Sequence, residues 1–232
     1  MNRYVILVTA ATYVSVGFAS TADLSVSPVK VTLSKLHPAS QLELGNAGDA
    51  SDLMQSQVLR WTRQNCVDRV EPTQELVISP PIFTLQAKSK QVVRVLLVGE
   101  ESAAQESTMR LVLTEVGGTT AEGGTVATRL AISLPVFVLP GVPVKPKLEW
   151  TLVRESTQIR VTAHNAGNAH TRLRALRLVD QHGRTLSEEL HTDYMLAGDS
   201  CTWTLPAERL SPVTELIAVT EDGEITLEVP TP

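Results

Sequence analysis

Short runs in which apolar and polar residues alternate recur from one end of this chain to the other. Leu24-Ser-Val26-Ser, Val29-Lys-Val31-Thr-Leu33 and Gln41-Leu-Glu-Leu44 have a period of two, as do residues 91–97, 109–116 and 130–138. The second half continues the pattern over 148–153, 158–163, 173–179, 202–205, 216–220 and 225–229. A period of two sends alternate side chains to opposite faces of an extended backbone, so each run reads as a half-buried strand. Turn residues punctuate the runs: Asn46-Ala-Gly48, Asn165-Ala-Gly167, His182-Gly183, Asp222-Gly223 and several prolines. Many short strands at regular spacing, without a helical period, predict an all-β protein built of sandwiches.

The chain of 232 residues allows one or two domains. An internal echo favours two. Leu42-Glu-Leu44-Gly-Asn46-Ala-Gly48-Asp-Ala50 matches Val161-Thr-Ala163-His-Asn165-Ala-Gly167-Asn-Ala169, each a strand running into Asn-Ala-Gly. The asparagines lie about one immunoglobulin-type domain (~100 residues) apart. Between the echoes, Leu139-Pro-Gly-Val-Pro143-Val-Lys-Pro146 cannot continue a central strand, because proline fixes φ and removes donors. The expectation is two immunoglobulin-like β-sandwich domains, residues 23–140 and 141–232, joined by a short Pro-rich hinge. Residues 117–124 read instead as a Gly-rich loop inside the first domain.

Residues 1–22 carry a secretory signal pattern: Arg3, an uncharged apolar run, then the small residues Ala19, Ser20 and Ala22. No later segment is long and apolar enough to span a bilayer as a helix. Export without membrane insertion is therefore expected. The formal net charge is −5 and the basic residues are scattered, which argues against a nucleic-acid footprint.

No catalytic constellation appears. There is no Gly-x-Ser-x-Gly elbow, phosphate-binding Gly loop or His-Glu-x-x-His. His164 and His170 flank the second Asn-Ala-Gly turn but lack further ligands nearby, so solvated loop histidines are expected rather than a metal pair. The chain is read as a non-enzyme without metal or cofactor. Trp61, Trp150 and Trp203 read as ordinary sandwich core. Cys66 and Cys201 fall in different expected domains; a bridge would lock those domains and demand close Cα atoms, so unpaired thiols are expected.

The segment of residues 129–139 is unusual. Leu130, Ile132, Leu134, Val136 and Val138 share one parity, and Val126 extends it toward the loop. Pro135 cannot donate to a ladder, which marks an edge strand. Monomers avoid long apolar edges. Two readings stand side by side: the apolar face is core, or the edge is left open for another chain.

Together these segments resemble a periplasmic pilus-assembly chaperone of the chaperone–usher pathway. The resemblance rests on Val26-Ser-Pro28-Val-Lys30-Val-Thr-Leu33, Leu44-Gly-Asn46-Ala-Gly48, Val58-Leu-Arg-Trp61, Leu76-Val-Ile-Ser-Pro80-Pro81-Ile-Phe83, Gln91-Val-Val-Arg94-Val95, Met109-Arg110-Leu111 to Glu115, and Leu134-Pro135-Val136-Phe137-Val138. The Pro135-Val136-Phe137 variant is similar to the archaic or spore-coat-like branch.

The resemblance implies that the last strand of the first domain fills the open groove of a pilin subunit that lacks a strand, a mode known as donor-strand complementation. Val126, Leu130, Ile132, Leu134 and Val136 are the donor candidates, with the register open. It further implies that basic side chains grip the subunit's terminal carboxylate between the domains. Lys30 matches one family position; Pro135 occupies roughly the other, so Arg110 is the first substitute and Arg94 the second. The implied partners are pilin subunits and an outer-membrane usher, the implied compartment is the periplasm, and a self-capping oligomer is compatible with the open edge. The alternative is a secreted structural pilus subunit or adhesin with the same sandwich fold.

Overall fold

The computed structural model describes residues 24–100, 104–116, 130–190, 194–206 and 213–230. Val126 and the expected signal segment lie outside them. The described residues contain eighteen strands and no helix. The first ten are β1 (Leu24–Ser27), β2 (Val31–Leu33), β3 (Ala39–Asn46), β4 (Asp52–Gln64), β5 (Val67–Pro72), β6 (Leu76–Ser79), β7 (Ile82–Leu85), β8 (Ser89–Leu97), β9 (Ser107–Glu115) and β10 (Ala131–Val138). The remainder are β11 (Leu148–Arg154), β12 (Gln158–Asn165), β13 (Thr171–Asp180), β14 (Thr185–Leu190), β15 (Tyr194–Met195), β16 (Ser200–Pro206), β17 (Val213–Thr220) and β18 (Gly223–Glu228).

Two sheets form the first sandwich, in the orders β1-β3-β8-β6 and β2-β10-β9-β4-β5, with β7 on β4. Two more form the second, β11-β12-β16 and β14-β13-β17-β18, with β15 on β13. The all-β expectation of two immunoglobulin-like sandwiches holds. Alternation explains each core. Leu42 and Leu44 of β3, Val93 and Val95 of β8, Met54 and Val58 of β4 and Leu111 and Leu113 of β9 meet in one buried cluster. Ile159, Val161, Leu173, Leu176, Leu178 and Leu216 belong to a second.

The Asn-Ala-Gly echo has a physical basis. Asn46 Oδ1 accepts the Gly48 N–H at 2.8 Å, while its Nδ2 donates to Ala50 O at 2.8 Å. Asn165 repeats both bonds, accepting from Gly167 at 3.0 Å and donating to Ala169 O at 2.8 Å. One buried amide thus bonds the turn's own backbone groups in each sandwich and has its own polar atoms satisfied, as a buried side chain requires. Gly167 has a further constraint: a Cβ there would lie 2.3 Å from Lys145 O and 2.5 Å from Lys147 N. The connecting backbone is packed directly on that turn, and Lys145 N–H donates to Asn168 Oδ1 at 2.8 Å.

Three expectations need correction. The cysteines are bridged, not free: Cys66 in the β4–β5 turn is bonded to Cys201 on β16, with Cα atoms 5.0 Å apart. Trp61 is fully buried, but not in the sandwich core. It belongs with Phe137 and Leu196 to a cluster drawn from both sandwiches. Parity explains this: on β4, Met54, Ser56 and Val58 face the first core, whereas Trp61 and Arg63 face outward and are covered by the second sandwich. His170 is not solvated either. Its ring stacks on Phe137 at 3.6 Å and its Nδ1 lies 2.6 Å from the Glu106 carboxylate.

Candidate functional site

β10 changes character along its length. From Leu134 to Val138 every residue is buried, whereas Ala131 to Ser133 are exposed or half-buried. The inner-face residues Leu134, Val136 and Val138 belong to the first core, and Val136 is 0% exposed. The outer-face residues are buried at that end because the second sandwich lies over Phe137. Of the donor candidates, Leu134 and Val136 are therefore core residues of this chain, while Ile132 is only partly covered and Leu130 is half-buried. Val126 lies outside the described residues.

Pairing is equally uneven. β9 runs antiparallel to β10 over the whole strand, from Ala131↔Thr114 to Val138↔Ser107. On the other side β2 covers only Val136 to Val138, in parallel. Among the described residues, no strand is paired with that side of Ala131 to Pro135. An open edge of this kind presents main-chain donors and acceptors to another strand. The core reading thus applies to the C-terminal end of the strand, and the N-terminal end has one edge without a paired strand among the described residues.

The cations sort by face. Arg110 pairs with Pro135 across β9 and β10. Val31 pairs with Val136, so the register extended by one residue sets Lys30 opposite Pro135 from the other side. Two strand spacings separate these backbones, about 10 Å. Lys30 is exposed. Arg110 lies in the groove between the sandwiches with 18% of its side chain exposed. Its guanidinium sits 3.6 Å over the Trp61 ring, within cation–π range, and 3.7 Å from Asp68 Oδ2. Burial pushes the Arg110 guanidinium below its ordinary value; Asp68 and Tyr194 oppose that, and Arg63 adds to it. It remains a cation held with few water contacts, where a charge-assisted bond to a carboxylate is strong. Arg94 is elsewhere: it lies exposed on β8, in the other sheet, facing away from the core. Arg110 and Lys30 thus flank Pro135 from opposite sides, and Arg94 lies in the other sheet.

Behind this face the sandwiches are fastened at several points. Besides the Cys66–Cys201 bridge, Arg63 Nη1 donates to Tyr194 O at 2.7 Å and Asn168 Nδ2 donates to Ala104 O at 3.0 Å. Among the described residues no group of three or more His, Cys, Asp or Glu side chains is arranged to hold a metal ion. No helix among them is long and apolar enough to cross a membrane.

Residues 23–142, just over half of the chain, match the family model of the pili and flagellar-assembly chaperone PapD N-terminal domain. The chain belongs to that chaperone family. The alternative of a pilus subunit or adhesin is set aside by this match. A search of curated protein sequences found no match. Solved structures with the same fold include a chain of the CsuC–CsuE chaperone–tip adhesion subunit pre-assembly complex from archaic chaperone-usher Csu pili of Acinetobacter baumannii. That match has 20% identity and a TM-score of 0.67, over 90% of this chain and 98% of that one. A chain of the Salmonella enterica SafA pilin–SafB chaperone complex matches at 15% identity and a TM-score of 0.63, over 89% and 96%. The E. coli chaperone DraB matches at 18% identity and 0.62, over 89% and 96%.

Proposed function

We propose that this chaperone binds pilin subunits in the periplasm by donor-strand complementation and passes them to an outer-membrane usher. The observation that carries the reading is the open edge of β10 over Ala131 to Pro135, which ends beside Arg110. Backbone groups on that edge pair with the subunit, and Leu130 and Ile132 enter its groove. Burying each such side chain contributes about 1.5–3 kcal/mol before the costs of association. Arg110, backed by Lys30, receives the subunit's terminal carboxylate. The disulfide supports an oxidising compartment outside the cytoplasm. The working units are residues 23–140, which hold the donor strand, and 141–232, which close the groove from the other side.

Co-expression in a periplasm with a pilin-like subunit, followed by pull-down, tests this. Wild type is expected to recover soluble subunit. Ile132→Asp is expected to lose it, and Arg110→Ala to recover at least ten-fold less. Equal recovery by all three removes β10 and Arg110 from the site.

A further inference from the structure

The surroundings of the Cys66–Cys201 bridge are charged on one side, which subunit binding does not use. Asp199 precedes β16, and its side chain is 0% exposed. Its Oδ2 lies 3.7 Å from Cys201 Sγ and 3.6 Å from Arg63 Nε. Arg63 is itself nearly buried; Nη2 donates to Cys66 O at 3.0 Å and Nε lies 3.4 Å from Asp68 Oδ1. Cys201 also packs in a buried cluster with Ala163 and Met195. Burial raises the Asp199 carboxyl above its ordinary value; Arg63 and the N–H groups of Ser200 and Cys66 hold it down, and Asp68 adds to the rise. A fully buried carboxylate against a sulfur is costly to maintain for stability alone.

The two sulfurs differ in access. Cys201 is fully buried, whereas Cys66 is half-buried in a turn where Asn65 and Cys66 both have left-handed φ, 52° and 64°. Cys66 is thus the more exposed residue of the two.

We propose that this junction is a thiol–disulfide exchange site for a dithiol–disulfide oxidoreductase, with Cys66 as the entry sulfur and Asp199 as the group that takes the proton of Cys201. In the closing direction, the Cys66 thiolate attacks the oxidised partner's disulfide. A mixed disulfide forms and one partner sulfur leaves as a thiolate. Asp199 accepts the Cys201 proton and later passes it to solvent. The Cys201 thiolate attacks Cys66 Sγ, the mixed disulfide breaks, and the partner's second sulfur leaves and is protonated. Two electrons pass from the chaperone's cysteines to the partner, which ends as a dithiol. Because Cys66 and Cys201 belong to different sandwiches, closure requires the sandwiches to be docked and then fixes them in that arrangement. Arg63 is a positioning residue: it holds Asp199 and the carbonyl of Cys66 together.

The test uses the full chain, reduced and freed of reductant, with oxidised glutathione as the probe and trapping by acid followed by mass spectrometry. Folded Cys201→Ser is expected to gain one glutathione at Cys66. Folded Cys66→Ser is expected to stay unmodified at Cys201 until denaturant is added, at least a hundred-fold slower. For Asp199→Asn, conversion of the mixed disulfide to the bridge is expected to slow at least ten-fold near neutral pH. Its acid limb between pH 4 and 8 is expected to change, with Arg63 and Asp68 the charged groups still facing that position. Asp199→Glu, which keeps a carboxylate, is expected to recover most of the rate. Equal modification of both cysteines in the folded single variants overturns the entry assignment. Wild-type kinetics in Asp199→Asn, or equal slowing in Asp199→Asn and Asp199→Glu, overturns the proton-accepting role and leaves Asp199 as packing.

Discussion

Asp199 illustrates how one residue links charge, stability and the junction. Its carboxyl is raised above 3.8 by burial first, so the folded chain holds that proton to a higher pH than the unfolded chain does. Between the two values the folded state binds more protons, and stability falls as pH rises through that window. Below it the cost is relieved, and above the folded value it is present in full. In disulfide-intact protein, wild type is therefore expected to lose unfolding free energy on going from acid to neutral pH by more than Asp199→Asn does. Chemical denaturation at a series of pH values measures this, and parallel profiles would show that Asp199 does not titrate with folding. None of this is legible from the sequence, which shows only that Asp199 follows a glycine. Burial is imposed by Arg63 and the bridge, from residues far away in the chain.

At the scale of elements, β10 does two jobs with one alternation. Its C-terminal half fills the first core, and its N-terminal half leaves an edge open. The halves are separable by mutation. Val136→Ala opens a cavity in a packed core and is expected to cost about 2 kcal/mol, seen as a lower thermal midpoint. Ile132→Ala removes a partly covered side chain and is expected to cost less than half as much. If the two substitutions cost the same, Ile132 is a core residue and the open-edge reading of that half is lost. The alternation itself was plain in the sequence, because side-chain parity is a local property. The point at which β10 passes from edge to core was not, because it depends on where β2 and the second sandwich end. β5 was missed for a related reason: all six of its residues are exposed, so it carries no apolar rhythm.

For the whole molecule, the relation of the two sandwiches is the quantity that matters, since Arg110, Phe137 and Trp61 all lie where they meet. Covalent and non-covalent fastenings act in parallel there. The bridge spans 135 residues of sequence, and a loop of that length restricts the unfolded chain by about 5 kcal/mol on the chain-entropy model. Cys66→Ser/Cys201→Ser is accordingly expected to unfold at lower urea, by up to that amount. Its folded state is expected to stay compact, because His170 with Glu106, Arg63 with Tyr194 O and the Trp61–Phe137 cluster remain. Small-angle scattering of the folded double variant checks the second part; a larger radius of gyration would make the bridge the main fastening.

The sequence by itself determined the strands, the turns and the two-sandwich architecture. Period-two patterning and Asn-Gly chemistry act between neighbours, so they can be read in order along the chain. Through a family resemblance it also put forward Arg110 and the strand of residues 130–138 as candidates. Only the tertiary structure decided what covers the outer face of the six-stranded sheet. Trp61, Phe137, His170, Cys66 and Cys201 took their roles there, because a side chain's parity tells which face it joins and not whether another sandwich lies upon that face.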